Sequence, residues 1–398
     1  MEMTTGVRRR VALYGHDTCG LGHVRRNLAL AQAAAGSALD PDVLLISGTA
    51  EAGRFPRPAG VELMVLPSVH KDGDSGYRPG ALRGGLGEVV ALRTALLEAA
   101  LLSWQPDMLV VDKVPQGFAG ELVPALAHLR RAGRTHVVLG LRDVLDDPIR
   151  ARADWHRSGD SEAARALYDE IWVYGDRRVH DLTTDLGLPA DVAAITSFTG
   201  YLSSGRTTAS RGPERLASGA GMALCLVGGG LDGAPLAWSF ARAPMPAGVT
   251  GVLVTGPFLP AHVRRSLEAL ARDREDLLVI PFSEDVAGWA AGAAAVVTMG
   301  GYNTVAEVLA TDTPALVVPR VQPRREQAVR AAALVQAGAI QSVDPDDVTP
   351  HVLGDWLAAA VAGPPVDRTH LALDGLAAVT DRTAQLLSSP VEVSRAAG

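Results

Sequence analysis

Cysteine is nearly missing from these 398 residues: there are two, Cys19 and Cys225. Two cysteines cannot staple a small fold, and their spacing matches no zinc site, so the chain reads as cytosolic. Basic charge is also in deficit. Lysine and arginine number 37 against 44 acidic residues, a net charge of −7. General nucleic-acid binding runs on clustered cations, and this balance argues against it. Long apolar runs are lacking too. The longest uncharged stretch, residues 286–306, is Ala-rich and broken by Gly288, Gly292, Gly300, Gly301 and Asn303, so it reads as helix, strand and turn rather than a membrane span. After Arg8-Arg9-Arg10 only four apolar residues precede Gly15-His16-Asp17, too few for a signal peptide. Neither a transmembrane segment nor peripheral membrane contact is expected. What remains is 47% hydrophobic and 20% charged, an ordinary globular composition with room for about two or three domains.

Short runs of Val, Ile and Leu alternate with helical patterns. Residues 11–14, 42–47, 108–111, 135–139 and 171–173 predict buried strands, with helices over 23–35, 87–104, 120–132 and 161–169. A small, polar stretch at 203–221, dotted with Arg206, Arg211 and Arg215, predicts a linker. The alternation then restarts. Strands are expected at 223–227, 251–255, 277–280, 294–298 and 315–318, and helices at 234–241, 261–271, 285–291, 304–310 and 326–337. The pattern predicts an α/β protein with two doubly wound parallel sheets. The expected boundaries are residues 1–205 for the first Rossmann-like domain, 206–220 for the linker and 221–370 for the second. A last helix near 371–387, in a segment running to 398, packs back across both.

In such sheets ligands bind beyond the carboxyl ends of the strands, so the loops there carry the chemistry. After the first strand comes Gly15-His16-Asp17-Thr18-Cys19-Gly20-Leu21-Gly22-His23. Gly22 permits a tight turn into a helix whose first N–H groups favour anionic oxygen. His23 opens that helix, placed to take a proton from a substrate hydroxyl, and Asp17 either orients an imidazole or caps the turn. The acidic residue of a dinucleotide fold, expected about 20 residues after the glycine loop, is missing: the second strand ends in Ile46-Ser47-Gly48-Thr49. This lowers an NAD-dependent reading. Asp112-Lys113 and Arg142-Asp143 leave two further strands as opposite charges, each pair either substrate contacts or a structural bridge.

The second half opens with Gly228, Gly229 and Gly230 between strand and helix, suited to close approach by a phosphate. A later strand runs into Met299-Gly300-Gly301-Tyr302-Asn303-Thr304, whose N–H groups and helix start form a diphosphate cradle. Glu307, one turn inside, is placed to accept two hydroxyls of a ribose. Glu326 and Gln327 start the next helix and point to the same crevice.

Gly300-Gly301, Thr304, Glu307, the run Pro314–Pro319, Gln327 and Ala337-Gly338-Ala339 resemble the donor-binding region of MurG-like glycosyltransferases of the UDP-glycosyltransferase superfamily. Gly22-His23, and Gly228 through Ala234, are similar to the two glycine loops of that group. The resemblance implies the GT-B fold, two Rossmann-like domains facing across a cleft, the first taking the acceptor and the second a nucleoside-diphosphate sugar. It implies an inverting glycosyltransferase with His23 as base, Thr304, Asn303 and the glycine loops on the diphosphate, Glu307 on the ribose, Gln327 on the donor sugar and Phe282 against the base. The acceptor side would use Asp112, Lys113, Arg142 and Asp143. It implies no cofactor beyond the co-substrate and no metal: Asp72-Gly73-Asp74 spells an Asp-x-Asp motif, but in a Gly-rich loop.

The sequence departs from MurG in three places. Glu326-Gln327 replaces a Gln-Gln pair, and Arg25 and Arg26 replace an apolar residue and a proline. The charged pairs resemble a separate branch of bacterial transferases. A small-molecule acceptor, in secondary metabolism, is therefore expected over a lipid-linked one. The alternatives are a UDP-sugar 2-epimerase of the same architecture and a non-catalytic nucleotide-sugar-binding protein.

Overall fold

A computed structural model describes residues 8–16, 22–71, 76–206, 208, 210–216, 219 and 221–391. Asp17, Cys19, Asp72 and Asp74 lie outside the described residues. The first sheet takes β1 (Arg10–Gly15), β2 (Asp42–Ser47) and β3 (Val61–Val65), and, after the hairpin β4 (Val69–Lys71) and β5 (Tyr77–Pro79), β6 (Met108–Asp112), β7 (His136–Arg142), β8 (Glu170–Tyr174) and β9 (Thr196–Phe198). Its spatial order is β3-β2-β1-β6-β7-β8-β9, parallel throughout. The second sheet holds β10 (Gly221–Leu226), β11 (Val249–Val254), β12 (Leu277–Ile280), β13 (Ala295–Thr298), β14 (Ala315–Val317) and β15 (Gln341–Ser342). Its order, β12-β11-β10-β13-β14-β15, repeats that of the first and is again parallel.

In each sheet the order reverses beside the first strand, between β1 and β6 and between β10 and β13. A crevice opens there because successive crossovers leave in opposite directions. The strands are buried on both faces, which is why they read as continuous apolar runs. Val11, Leu13, Val43, Leu45 and Val110 face one cluster; Ala12, Tyr14, Ile46, Leu109 and Val111 face the other.

The helices are α1 (Gly22–Ala35), α2 (Leu86–Trp104), α3 (Val123–Ala132), α4 (Pro148–Arg157), α5 (Asp160–Leu167), α6 (Leu182–Leu186) and α7 (Ala190–Ala194) in the first half. The second half holds α8 (Ala234–Arg242), α9 (Ala261–Arg272), α10 (Val286–Gly292), α11 (Tyr302–Leu309), α12 (Glu326–Gln336) and α13 (Pro350–Ala362), and α14 (Gly375–Ser388) closes the chain. The last helix returns to the first half. It packs on α1, the Thr380 hydroxyl donates to the Ala33 carbonyl at 3.0 Å, and Arg382 pairs with Glu170.

Between β7 and α5 the chain forms α4. Asp147 caps that helix through Ile149 and Arg150, and Pro148 fills its first position, a start signal that fixes the segment.

Candidate functional site

The two reversal points face each other. At the first, His23 stands in the first turn of α1 and Asp112 is the last residue of β6, so the parallel pairing of β1 with β6 brings them together across the crevice. His23 Nδ1 lies 2.5 Å from Asp112 Oδ2. Asp112 is 1% exposed and also receives Arg26, through Nε at 3.0 Å and Nη2 at 2.6 and 2.7 Å. Burial works against its charge, but Arg26 and His23 outweigh that and hold the carboxyl well below the usual carboxylate range. A permanently ionised Asp112 draws the imidazole proton to Nδ1, which makes Nε2 the basic nitrogen. His16 packs edge-on against His23, ring centroids 4.8 Å apart. Burial first, then the neighbouring His23, keep His16 well below its ordinary value, hence neutral.

Asp112 was expected to touch the acceptor. The structure assigns it instead to orienting His23, because its two oxygens are shared between the imidazole and Arg26. Asp143 is corrected in the same way. It is 1% exposed and receives Arg330 of α12, with Nη2 at 2.6 Å and Nε at 2.8 Å, a buried fork-to-fork pair joining the two halves. Arg330 Nη1 also donates to the Gly300 carbonyl at 3.2 Å. Tyr302, at the start of α11, lies between Arg26 and Arg330, whose guanidinium carbons are 5.9 and 5.6 Å from its ring centre. The other two residues expected on the acceptor, Lys113 and Arg142, do stand at the ends of β6 and β7.

At the second reversal point the glycine loops take the expected places. Gly228, Gly229 and Gly230 follow β10. Gly230 has φ +92°, and a Cβ there would lie 2.3 Å from the Thr255 carbonyl oxygen, so only glycine fits. Gly300, at φ +86°, would drive a Cβ to within 2.7 Å of Val317. Gly301 precedes α11 and no atom lies within 4 Å of a Cβ built there, which leaves the helix start open to an incoming oxygen. Thr304 is in the first turn of α11, 7% exposed. Asn303 also reaches across, its Nδ2 donating to the Gly22 carbonyl at 2.7 Å, while its Oδ1 is buried without a partner.

Glu307 is 2% exposed and already engaged: Oε1 receives Arg25 of α1 and, at 2.9 Å, Arg206 from beyond β9. Its Oε2 is buried and unpaired and remains as an acceptor. Glu326 Oε1 holds Arg320 at 2.5 Å while Oε2 is buried and unpaired. Gln327 accepts the Arg320 backbone N–H at 2.8 Å, and it stands against the Gly300 turn, where a Cβ would lie 3.8 Å from its own. Phe282 follows β12, half exposed, and meets Phe55 of the first half at 5.9 Å between centroids. These two rings, with Glu51, Arg54, Pro257, Arg264 and Pro281, line a cavity of ≈ 230 Å³ between the halves. Orphaned buried polar atoms concentrated at a crevice mark where a polar ligand binds.

The partners that sequence reasoning did not supply are Arg26, Arg206, Tyr302, Arg330, His16 and Phe55. Arg25 and Arg26 did carry a signal, as charges where the related pattern is apolar.

The C-terminal domain of glycosyltransferase family 28 matches residues 251–367. The UDP-N-acetylglucosamine–N-acetylmuramyl-(pentapeptide) pyrophosphoryl-undecaprenol N-acetylglucosamine transferase of Corynebacterium efficiens is 32% identical over 310 residues, 71% of this chain and 83% of that enzyme. The enzyme of the same description from Sorangium cellulosum is 27% identical over 201 residues, 42% of this chain and 50% of its own. Among solved structures, the glycotransferase of kitacinnamycin superposes with a TM-score of 0.58 at 17% identity, covering 96% of this chain and 97% of its own. MurG of Acinetobacter baumannii superposes at 0.52 and 15% identity, covering 95% of both chains. Such low identities speak for fold alone. The architecture is GT-B, and the protein is a glycosyltransferase. It belongs to the MurG-like family. Among the described residues no helix is long and apolar enough to cross a membrane.

Proposed function

We propose that this enzyme is an inverting transferase that moves a sugar, N-acetylglucosamine or another amino sugar, from a UDP-sugar to a hydroxyl of a small-molecule acceptor. The observation that carries the reading is the His23–Asp112 pair at the reversal point of the first sheet, directly opposite the glycine loops of the second. The acceptor hydroxyl approaches His23, which takes its proton through Nε2 as the oxygen attacks the anomeric carbon in line with the departing UDP. Asp112 holds the ring and steadies the imidazolium. Arg26 shares that carboxylate and helps hold it in place. A single displacement inverts the anomeric centre.

The leaving diphosphate is taken by the N–H groups of residues 228–230 and 300–304 and by the start of α11, a stabilisation that requires no metal. Glu307 Oε2 receives a ribose hydroxyl, and the cavity between Phe55 and Phe282 takes the base. The Corynebacterium relative's name supports UDP-N-acetylglucosamine as donor. Arg25 and Arg26 on α1, and Glu326 in place of a glutamine, support a different acceptor and leave room for a different amino sugar. A secondary metabolite made in the bacterial cytoplasm fits this combination.

Calorimetric titration with UDP, dTDP, GDP and NAD tests the donor half. Selective binding of UDP, lost in Glu307→Ala, supports the reading; binding of none, or of NAD alone, overturns it. NMR of a UDP-sugar without acceptor separates transfer from epimerisation, because only an epimerase interconverts free sugar nucleotides.

A further inference from the structure

The facing carboxyl edges of the two sheets are crowded with charge, and nearly all of it is paired. Asp112 has Arg26, Asp143 has Arg330, Glu326 has Arg320, and Asp146 receives Arg324 at 3.3 Å. Each of these carboxylates already holds an arginine. Two cations are left over. Lys113, half-buried at the end of β6, has no carboxylate partner for its ammonium among the described residues, and Arg142, at the end of the neighbouring β7, has a buried Nε without a partner. Desolvating a cation without an anion is unfavourable, so such a pair beside a crevice marks a place where an anion completes the site. The backbone adds to this. Lys113 has φ +72°, a left-handed conformation that strains a residue bearing a Cβ, and its N–H is tied to the Gly140 carbonyl at 2.8 Å. The strain holds Lys113 in the step directly after Asp112, the residue that positions His23.

We infer that Lys113 and Arg142 bind a carboxylate or phosphate group carried by the acceptor, so that the enzyme glycosylates an anionic hydroxy compound anchored beside His23. This rests on the glycosyl-transfer reading above. It gives the two unpaired cations a function. It places the anion at the end of β6, the strand whose last residue, Asp112, holds His23. A neutral analogue would leave both cations without a counterion, and a polar site rejects a ligand that does this.

The surroundings of Lys113 support the same conclusion. Burial first, then Arg142 and Arg324, lower its ammonium to about 7. Arg26 adds to that, Asp112 opposes it, and His16 also faces it but is neutral. Arg142 is brought down to about 10 by burial, Arg26 and Arg330, with Glu326 and Asp143 opposing. An arriving anion favours the ammonium form of Lys113.

The sequence supplies a clean probe, since its only lysines are Lys71 and Lys113 and Lys71 is exposed. The full chain labelled with [13Cε]lysine gives two resonances, assigned with Lys71→Arg. With the donor half saturated by UDP, inorganic phosphate and acetate are titrated separately in a low-salt buffer. The expected result is a saturable shift of the Lys113 resonance and a rise of its titration midpoint by on the order of one unit, with Lys71 unmoved. Arg142→Met should weaken the response about 10-fold or more, roughly what loss of one charge-assisted hydrogen bond brings, and Arg142→Lys should retain most of it. A response to phosphate over acetate assigns a phosphorylated acceptor, and the reverse assigns a carboxylic acid. No response of Lys113 to either anion, or an equal response of Lys71, overturns the proposal. Calorimetry with UDP on the same sample reads the transferase assignment independently: UDP binding with a silent Lys113 removes the anion site alone, while a responsive Lys113 without UDP binding removes the donor reading.

Discussion

At the crevice of the second half, much of what faces the gap is backbone: the glycine turns at 228–230 and 300–301 and the start of α11, beside Glu307 and the Glu326–Arg320 pair. At the matching crevice of the first half they are side chains: His16, His23, Arg26, Asp112, Lys113 and Arg142, from three strand ends and one helix start. The strand order is the same in both sheets, so topology does not make the difference. Backbone N–H groups recognise any diphosphate alike, and turns that only glycine can adopt are hard to vary. Side chains at strand ends change one at a time without disturbing the sheet. On the proposed function, the backbone crevice would hold the diphosphate and the side-chain edge would select the acceptor.

The comparison breaks most severely at His23. His23→Ala should lower turnover about 10²–10⁴-fold with donor binding retained; near-normal turnover in a steady-state assay removes His23 as base. Next is the clamp between the halves. Arg330→Met leaves Asp143 buried and uncompensated, which should destabilise the protein by about 3–5 kcal/mol. Chemical denaturation checks it, and the double variant Arg330→Met/Asp143→Leu should recover much of the loss.

On the donor side, Glu307→Gln should weaken UDP roughly 10-fold, the range for a hydrogen bond to a charged group. Arg25→Ala should do the opposite. Arg25 holds Glu307 Oε1 from the first half, and releasing a partly exposed partner worth about 0.2–1 kcal/mol should tighten UDP by a factor of about 1.4–5. Unchanged or weaker UDP binding in Arg25→Ala means that Arg25 supports the nucleotide rather than competing with it.

A further effect is on pH dependence. Lys113 titrates at about 7 in the fold, well below a free lysine near 10.4. Between those values the unfolded chain binds the extra proton, so stability rises with pH across that window and its penalty is fully present below it. Lys113→Met should flatten the rise, as measured by thermal midpoints between pH 6 and 9.

Much of this was legible in sequence because strong local patterns are also the global ones. The buried strands β1, β2, β6, β7, β8 and β10–β14 were each visible as apolar runs, and the glycine loops were placed correctly because φ > 0 leaves glycine as the fitting residue. Short edge strands were not legible. Thr196–Phe198 and Gln341–Ser342 are too brief to show a period, and Val61–Val65 is interrupted by the exposed Glu62. The helix α13 was missed although Thr349 caps it and Pro350 opens it, a start signal readable in principle.

For the site, the sequence named His23, Glu307 and the charged strand ends but could not say which charges pair. Asp112 follows a strand and Arg26 lies 86 residues earlier; Asp143 meets Arg330 across 187 residues. By itself the sequence determined the alternation of strands and helices, the two repeated halves and the glycine turns, because these follow from hydrophobic period and backbone sterics within a few residues. Only the tertiary structure decided that Asp112 orients His23, that Asp143 joins the halves and that Lys113 and Arg142 remain without counterions. Electrostatic pairing depends on distances of a few ångströms between groups far apart in the chain, and folding alone sets those distances.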